Sequence, residues 1–193
     1  MNQNAVLVID VQNDFCPGGA LAVPEGNMVV PIINDIIAVA TKRGMPIFAS
    51  RDWHPEETMH FNTKGGKWPP HCIQTTKGAE FHPELKLPTN RILISKGTEA
   101  DEDAYSAFEG KDGYKMTLRG LLDAQSVKKI FICGLTLDYC VKATALDAKK
   151  YGFEVLIFEN ATRAVNINPD DGIKAKFELW NKGIEIKSFP DFS

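Results

Sequence analysis

Three reactive side chains fall directly beyond three apolar runs of this sequence. Asp10 follows Val6-Leu-Val-Ile9, Lys96 follows Ile92-Leu-Ile-Ser95, and Cys140 comes soon after Lys129-Ile-Phe-Ile-Cys133, across Gly134-Leu-Thr-Leu-Asp-Tyr139. If those runs are neighbouring parallel strands, a carboxylate, an ammonium and a thiol converge on one crevice at the strand ends. That set suits a cysteine nucleophile with its own base and a positive charge beside it. A helix expected to start near Cys140 would put the thiol in its first turn, where unpaired N–H groups and the helix dipole favour thiolate. Taken singly, each residue has a commoner use: Asp10 as a turn former, Lys96 as a solvated lysine, Cys140 as a small core residue. Their shared position after strands is what singles them out.

A second group lies in the segment spanning residues 52–90. Asp52-Trp-His54 sets a carboxylate and an imidazole two residues apart, pointing the same way in extended chain. His71, in Trp68-Pro-Pro-His71, is a candidate third ligand on a stiff turn, and His60 and His82 are the other histidines. Such an oxygen-and-nitrogen set suits a divalent ion, Zn²⁺ first, with Fe²⁺ or Mn²⁺ as alternatives. The competing reading is that these histidines only satisfy loop hydrogen bonds. Gly18-Gly19 is no phosphate cradle, because neither a G-x-G-x-x-G nor a P-loop pattern occurs.

The elements that must position these groups alternate. Strands are expected at 5–9, 46–50, 91–95, 129–133, 154–158 and 185–187, with helices at 28–42, 118–124, 141–150 and 169–182. The strand runs are apolar throughout rather than alternating, as in a parallel sheet covered on both faces. The expectation is an α/β fold: a three-layer sandwich around a mainly parallel six-stranded sheet, with right-handed crossovers. Residues 1–193 read as a single domain, and the 52–90 loop is too long and too rich in Trp and Pro to be idle.

Composition narrows the partners. A chain of 193 residues with 44% hydrophobic and 24% charged residues is ordinary for a globular protein. A formal net charge of −3 without a basic block argues against nucleic acid. No apolar run approaches the ~20 residues of a membrane span. The N-terminal residues lack a signal pattern, so the four cysteines are expected to be reduced and the protein cytoplasmic. Whether it forms a homo-oligomer is open.

Six motifs together make the chain resemble the isochorismatase-like cysteine hydrolases, and among them the nicotinamidases. They are Val8-Ile-Asp-Val-Gln-Asn-Asp-Phe-Cys16, Asp52-Trp-His54, Trp68-Pro-Pro-His-Cys72, Ser95-Lys-Gly97, Tyr105-Ser-Ala-Phe108 and Gly134-Leu-Thr-Leu-Asp-Tyr-Cys-Val141. The resemblance implies Asp10 as base, Lys96 as its cationic partner and Cys140 as nucleophile. It implies Asp52, His54 and His71 as metal ligands, with His60 an additional ligand in some members. A cis peptide between Leu135 and Thr136 is implied too, with the backbone N–H groups of Thr136 and Cys140 as an oxyanion hole. Phe15, Trp68 and Tyr105 match positions that sandwich a flat ring. The chain departs from the family in having Thr136 where Ala is usual and Leu137 where Thr is commoner. The implied activity is hydrolysis of nicotinamide, a small heteroaromatic amide, to nicotinate and ammonia through a cysteine thioester. The alternative is an amidohydrolase of the same superfamily acting on another small carbamoyl compound.

Overall fold

The computed structural model describes residues 3–192. Its six strands are β1 (Asn4–Ile9), β2 (Ile47–Asp52), β3 (Ile92–Lys96), β4 (Lys129–Leu135), β5 (Glu154–Arg163) and β6 (Glu185–Lys187). They form one sheet in the order β3-β2-β1-β4-β5-β6, and every neighbouring pair is parallel. Four helices complete the fold: α1 (Val29–Lys42), α2 (Leu118–Ala124), α3 (Lys142–Lys150) and α4 (Asp171–Asn181).

Strand periodicity divides the apolar side chains between two layers. Ala5, Leu7 and Ile9 of β1 enter a core with Leu118 and Leu122 of α2, Ala145 of α3 and Leu179 of α4. Val6 and Val8 enter the opposite core, against Val30, Ile33 and Ile37 of α1. The expected three-layer α/β sandwich is therefore the observed one, with three helices on one face and one on the other.

The differences are at element ends. β2 continues through Asp52, so this carboxylate is held by the sheet rather than by a loop. β5 runs on to Arg163 because, after a register shift between Ile132 and Gly134, Thr162 pairs with Gly134. The polar Glu159-Asn160 pair disguised that extension. Gly134 adopts φ +115°, and a Cβ there would lie 2.1 Å from the Ile9 carbonyl oxygen, so the close approach of β4 to β1 requires glycine. The 52–90 segment is ordered by isolated bridges, His54 to Ile73, Phe61 to Trp68 and Gln12 to Phe81. No helix among the described residues is long and apolar enough to cross a membrane.

The strand order reverses between β1 and β4. Crossovers leave those two strands in opposite directions, which opens a crevice beyond their C-terminal ends. Asp10 and Cys140 lie on either side of it, with Asp52 and Lys96 ending β2 and β3 alongside.

Candidate active site and metal centre

Lys96 is buried, and its ammonium organises the site. Nζ lies 3.0 Å from Asp10 Oδ2, contacts Asp52 Oδ1, donates to the Ala104 carbonyl at 3.2 Å and reaches Cys140 Sγ at 3.5 Å. One carboxylate oxygen each of Asp10 and Asp52 and the Cys140 sulfur all lie within 4.8 Å of one another. The three groups expected to converge do so. Burial works against a charged lysine, but the Asp10 and Asp52 carboxylates outweigh it and hold Lys96 protonated. Burial raises the Asp10 carboxyl above the usual carboxylate range, with Lys96 and a hydrogen bond from Ser50 Oγ to Asp10 Oδ1 (2.7 Å) pulling the other way. For Asp52 burial also acts upward, but Lys96, His54 and His71 prevail and the group stays ionised.

The thiol does not match the expected helix-start thiolate. Thr136 through Val141 form a single π turn, closed by Val141 N–H to the Thr136 carbonyl at 3.0 Å, and α3 begins only at Lys142. Burial pushes the Cys140 thiol well above its ordinary pKa; Lys96 opposes this, and the Asp10 and Asp52 carboxylates add to it. The protonated thiol is therefore the favoured resting form. The Leu135–Thr136 peptide is cis, as the resemblance implies.

Beside this cluster His54, His60 and His71 bring one nitrogen each within 4.8 Å of the others. Each ring is fixed through Nδ1. His54 Nδ1 faces the Gly97 carbonyl at 3.1 Å, His71 Nδ1 faces the Pro69 carbonyl at 2.7 Å, and His60 Nδ1 contacts Asp103 Oδ1. With Nδ1–H donating to these acceptors, every Nε2 keeps its lone pair. His54 Nε2 is buried with no protein hydrogen-bond partner. Asp52 Oδ2 stands 3.6 Å from His54 Nε2 and 3.9 Å from His71 Nε2. Burial lowers His71 to about 4 and depresses His60, so both rings are neutral donors near pH 7. An orphaned buried nitrogen, anchored rings and one carboxylate fit a divalent ion. His60 belongs to this set in space, whereas His82 accepts the Glu84 N–H elsewhere (3.3 Å). Gly97 has a role not legible from the sequence: with φ +61°, a Cβ there would lie 2.4 Å from His54 Cε1.

Cys140, Thr136, Asp52, His60 and His71 open into one cleft, walled by Phe15, Trp68, Tyr105 and Tyr139. Trp68 Nε1 donates to Tyr105 Oη at 2.8 Å, fixing two walls together. Lys67 Nζ donates to Tyr139 Oη at 2.9 Å from the cleft's exposed edge. The Thr136 hydroxyl is buried with no protein hydrogen-bond partner.

Other positioning residues had escaped notice. Gln12 clamps the Asp52 backbone, donating from Nε2 to its carbonyl (2.7 Å) and accepting its N–H at Oε1 (2.8 Å). Asp138 accepts the Val165 and Asn166 N–H groups, each at 2.9 Å, and so ties the thiol turn to the segment after β5. Gln12 and Asp138 lie inside the quoted motifs, but their partners are remote in sequence.

The isochorismatase domain family matches residues 4–178. The chain belongs to the isochorismatase family. Among relatives, this family member is 36% identical to the nicotinamidase of Escherichia coli (strain K12) over 208 aligned positions, covering 100% of this chain and 98% of that one. Among solved structures, a Pyrococcus horikoshii pyrazinamidase in complex with zinc is 45% identical at a TM-score of 0.90, covering 97% of this chain and all of the other. PnC1 from L. infantum in complex with nicotinate is 35% identical at a TM-score of 0.86, covering 96% of this chain and 92% of that one.

Proposed function

We propose that this chain hydrolyses nicotinamide to nicotinate and ammonia, with Asp10, Lys96 and Cys140 as catalytic residues. The observation that carries this reading is that Cys140 opens into an aromatic-walled cleft with Asp52, His60 and His71, while Lys96, in contact with Asp10 and Asp52, stands directly behind the thiol. The relatives' names, nicotinamidase and pyrazinamidase, support the same class of small heteroaromatic amide.

Asp10 takes the Cys140 proton as the sulfur attacks the carboxamide carbon, a division of labour suited to a buried thiol and a carboxylate raised toward neutrality. Lys96 keeps Asp10 beside the sulfur and offsets the charge that develops there. Backbone N–H groups of Thr136 and Cys140 receive the oxyanion, each donor of this kind contributing about 3–4 kcal/mol. Asp10 returns the proton to the departing ammonia. It then takes a proton from water as the water attacks the thioester, and the thiol is restored as nicotinate leaves. Phe15, Trp68 and Tyr105 hold the ring flat and exclude water. Asp52, His54, His71 and His60 would hold a divalent ion, Zn²⁺ by donor type, which supplies a coordination position for the ring nitrogen. The four free cysteines accord with a reducing, cytoplasmic setting.

Cys140→Ala should abolish ammonia release while leaving the fold intact; retained hydrolysis overturns the mechanism. Nicotinamide and pyrazinamide should both be turned over, and benzamide, which lacks the ring nitrogen, should be poor. Equal turnover of benzamide would point to another carbamoyl substrate.

A further inference from the structure

Helix α4 leaves Ile173, Phe177 and Trp180 66%, 64% and 67% exposed, on the same stripe at i, i+4 and i+7. Phe177 and Trp180 already meet edge to face, with ring centroids 6.0 Å apart. The opposite stripe, Gly172, Ala175 and Leu179, is the one buried. An apolar helix already satisfied on its inner face needs no such outer face, and contiguous exposed apolar surface rimmed by polar groups marks an interaction site.

We propose that this face is the twofold interface of a homodimer, with α4 packed antiparallel against α4 of a second copy. The charged rim selects this occupant. Asp170 and Asp171 stand at the N-terminal end, Lys182 follows the C-terminal end, and Lys174 and Glu178 lie between them. A twofold axis beside Phe177 sets Ile173 against Trp180 of the second copy and Phe177 against its own counterpart. The same register sets Lys174 beside the second copy's Glu178 and Lys182 beside the second copy's Asp170, adding to the pairs that Glu178 makes with Lys142 (3.1 Å) and Lys174 with Asp171 (4.0 Å) inside the chain. A parallel pairing would oppose like charges. A membrane is a poorer occupant, because interfacial helices carry Lys and Arg rather than alternating acids.

Area sets the strength. With roughly 150–250 Å² per large aromatic side chain, the exposed stripe supplies on the order of 400 Å². That is about half of the ~800 Å² each partner buries in a standard interface, so the rim contributes the rest and association depends on concentration.

Sedimentation velocity across micromolar concentrations tests this on the full chain. The wild type should move toward twice the chain mass as concentration rises, while Phe177→Glu stays monomeric and releases ammonia at the unchanged rate. Phe177→Cys should form an intermolecular disulfide under mild oxidation, whereas Lys111→Cys, exposed and bridged to β3 at the sheet edge opposite β6, should not. Lys182→Asp should weaken the dimer and Asp170→Lys in the same chain should restore it. A wild type that is monomeric at every concentration overturns the proposal, as does a dimer that survives Phe177→Glu or cross-linking that is equal at positions 177 and 111.

Discussion

Lys96 and Asp52 are in direct ion-pair contact, and this joins the thiol cluster to the histidine cluster. Asp52 presents Oδ1 to the ammonium and Oδ2 to His54 and His71. Lys96 holds Asp10 with the same nitrogen. One buried cation is therefore shared by two carboxylates that would otherwise repel each other in a low-dielectric site.

Removing that cation leaves two buried acids uncompensated. Lys96→Ala should lower stability by about 3–5 kcal/mol, read as a shift in the urea midpoint. It should also cut kcat/KM for nicotinamide by about 10²–10⁴-fold, the scale of a lost acid–base partner. Lys96→Arg should not restore activity, because a planar fork cannot occupy the place of a compact ammonium enclosed by Asp10, Asp52 and the Ala104 carbonyl. An active, stable Lys96→Ala variant would show that the two clusters are independent.

Ser50 gives the pH dependence a sign. The proposed mechanism needs Asp10 ionised, and Asp10 sits above the usual carboxylate range because of its burial. Activity should therefore rise with pH through the Asp10 titration. The Ser50 hydroxyl donates to ionised Asp10 and lowers its pKa, so Ser50→Ala raises it and moves the acid limb of kcat/KM to higher pH. A hydrogen bond to a charged group is worth about 1.5–3 kcal/mol, so the displacement should be about 1–2 pH units. An unmoved acid limb would assign that limb to another group.

The site was legible where chemistry sits at the end of an apolar run. Asp10 follows β1, Lys96 ends β3 and Cys140 lies in the turn after β4, and a parallel sheet brings such ends together whatever their distance in sequence. The strands themselves were legible from their apolar runs, and Asp52 and His54 from their spacing. What stayed hidden depends on contacts between distant segments. Ser50, Gln12 and Asp138 are ordinary polar residues until folding sets them against Asp10, Asp52 and the Val165 amide. The π turn at Cys140 was hidden for a different reason: its residues have the pattern of a helix start, and only the bonding of the Val141 N–H to the Thr136 carbonyl shows otherwise.

Asp103 gives His60 its orientation. Its carboxylate contacts His60 Nδ1 although Asp103 is itself 69% exposed. Such outer partners fix the tautomer that leaves Nε2 free for an ion, and losing one typically costs about 10–100-fold in metal affinity. Asp103→Ala should weaken Zn²⁺ binding by that factor in competition with a chromophoric chelator, a readout separate from turnover. Asp103→Asn, which keeps an acceptor oxygen, should lose less. Unchanged zinc affinity in Asp103→Ala would make the contact incidental to the metal centre.

Thr136 offers a side-chain hydroxyl at a position where the family resemblance leads one to expect alanine. Thr136 lines the cleft, and its hydroxyl is buried with no protein hydrogen-bond partner. A buried polar group left unpaired is costly, and under the proposed function a bound carboxamide would satisfy it. Thr136→Val keeps the shape and both backbone donors but removes the hydroxyl. It should raise KM for nicotinamide by about 2–10-fold with kcat little changed, the scale of one neutral hydrogen bond of about 0.5–1.5 kcal/mol. Thr136→Ser should stay close to wild type, because it retains the donor. If Val and Ser variants have the same KM, the hydroxyl does not meet the substrate; if Val lowers kcat and leaves KM alone, the contact forms only in the transition state.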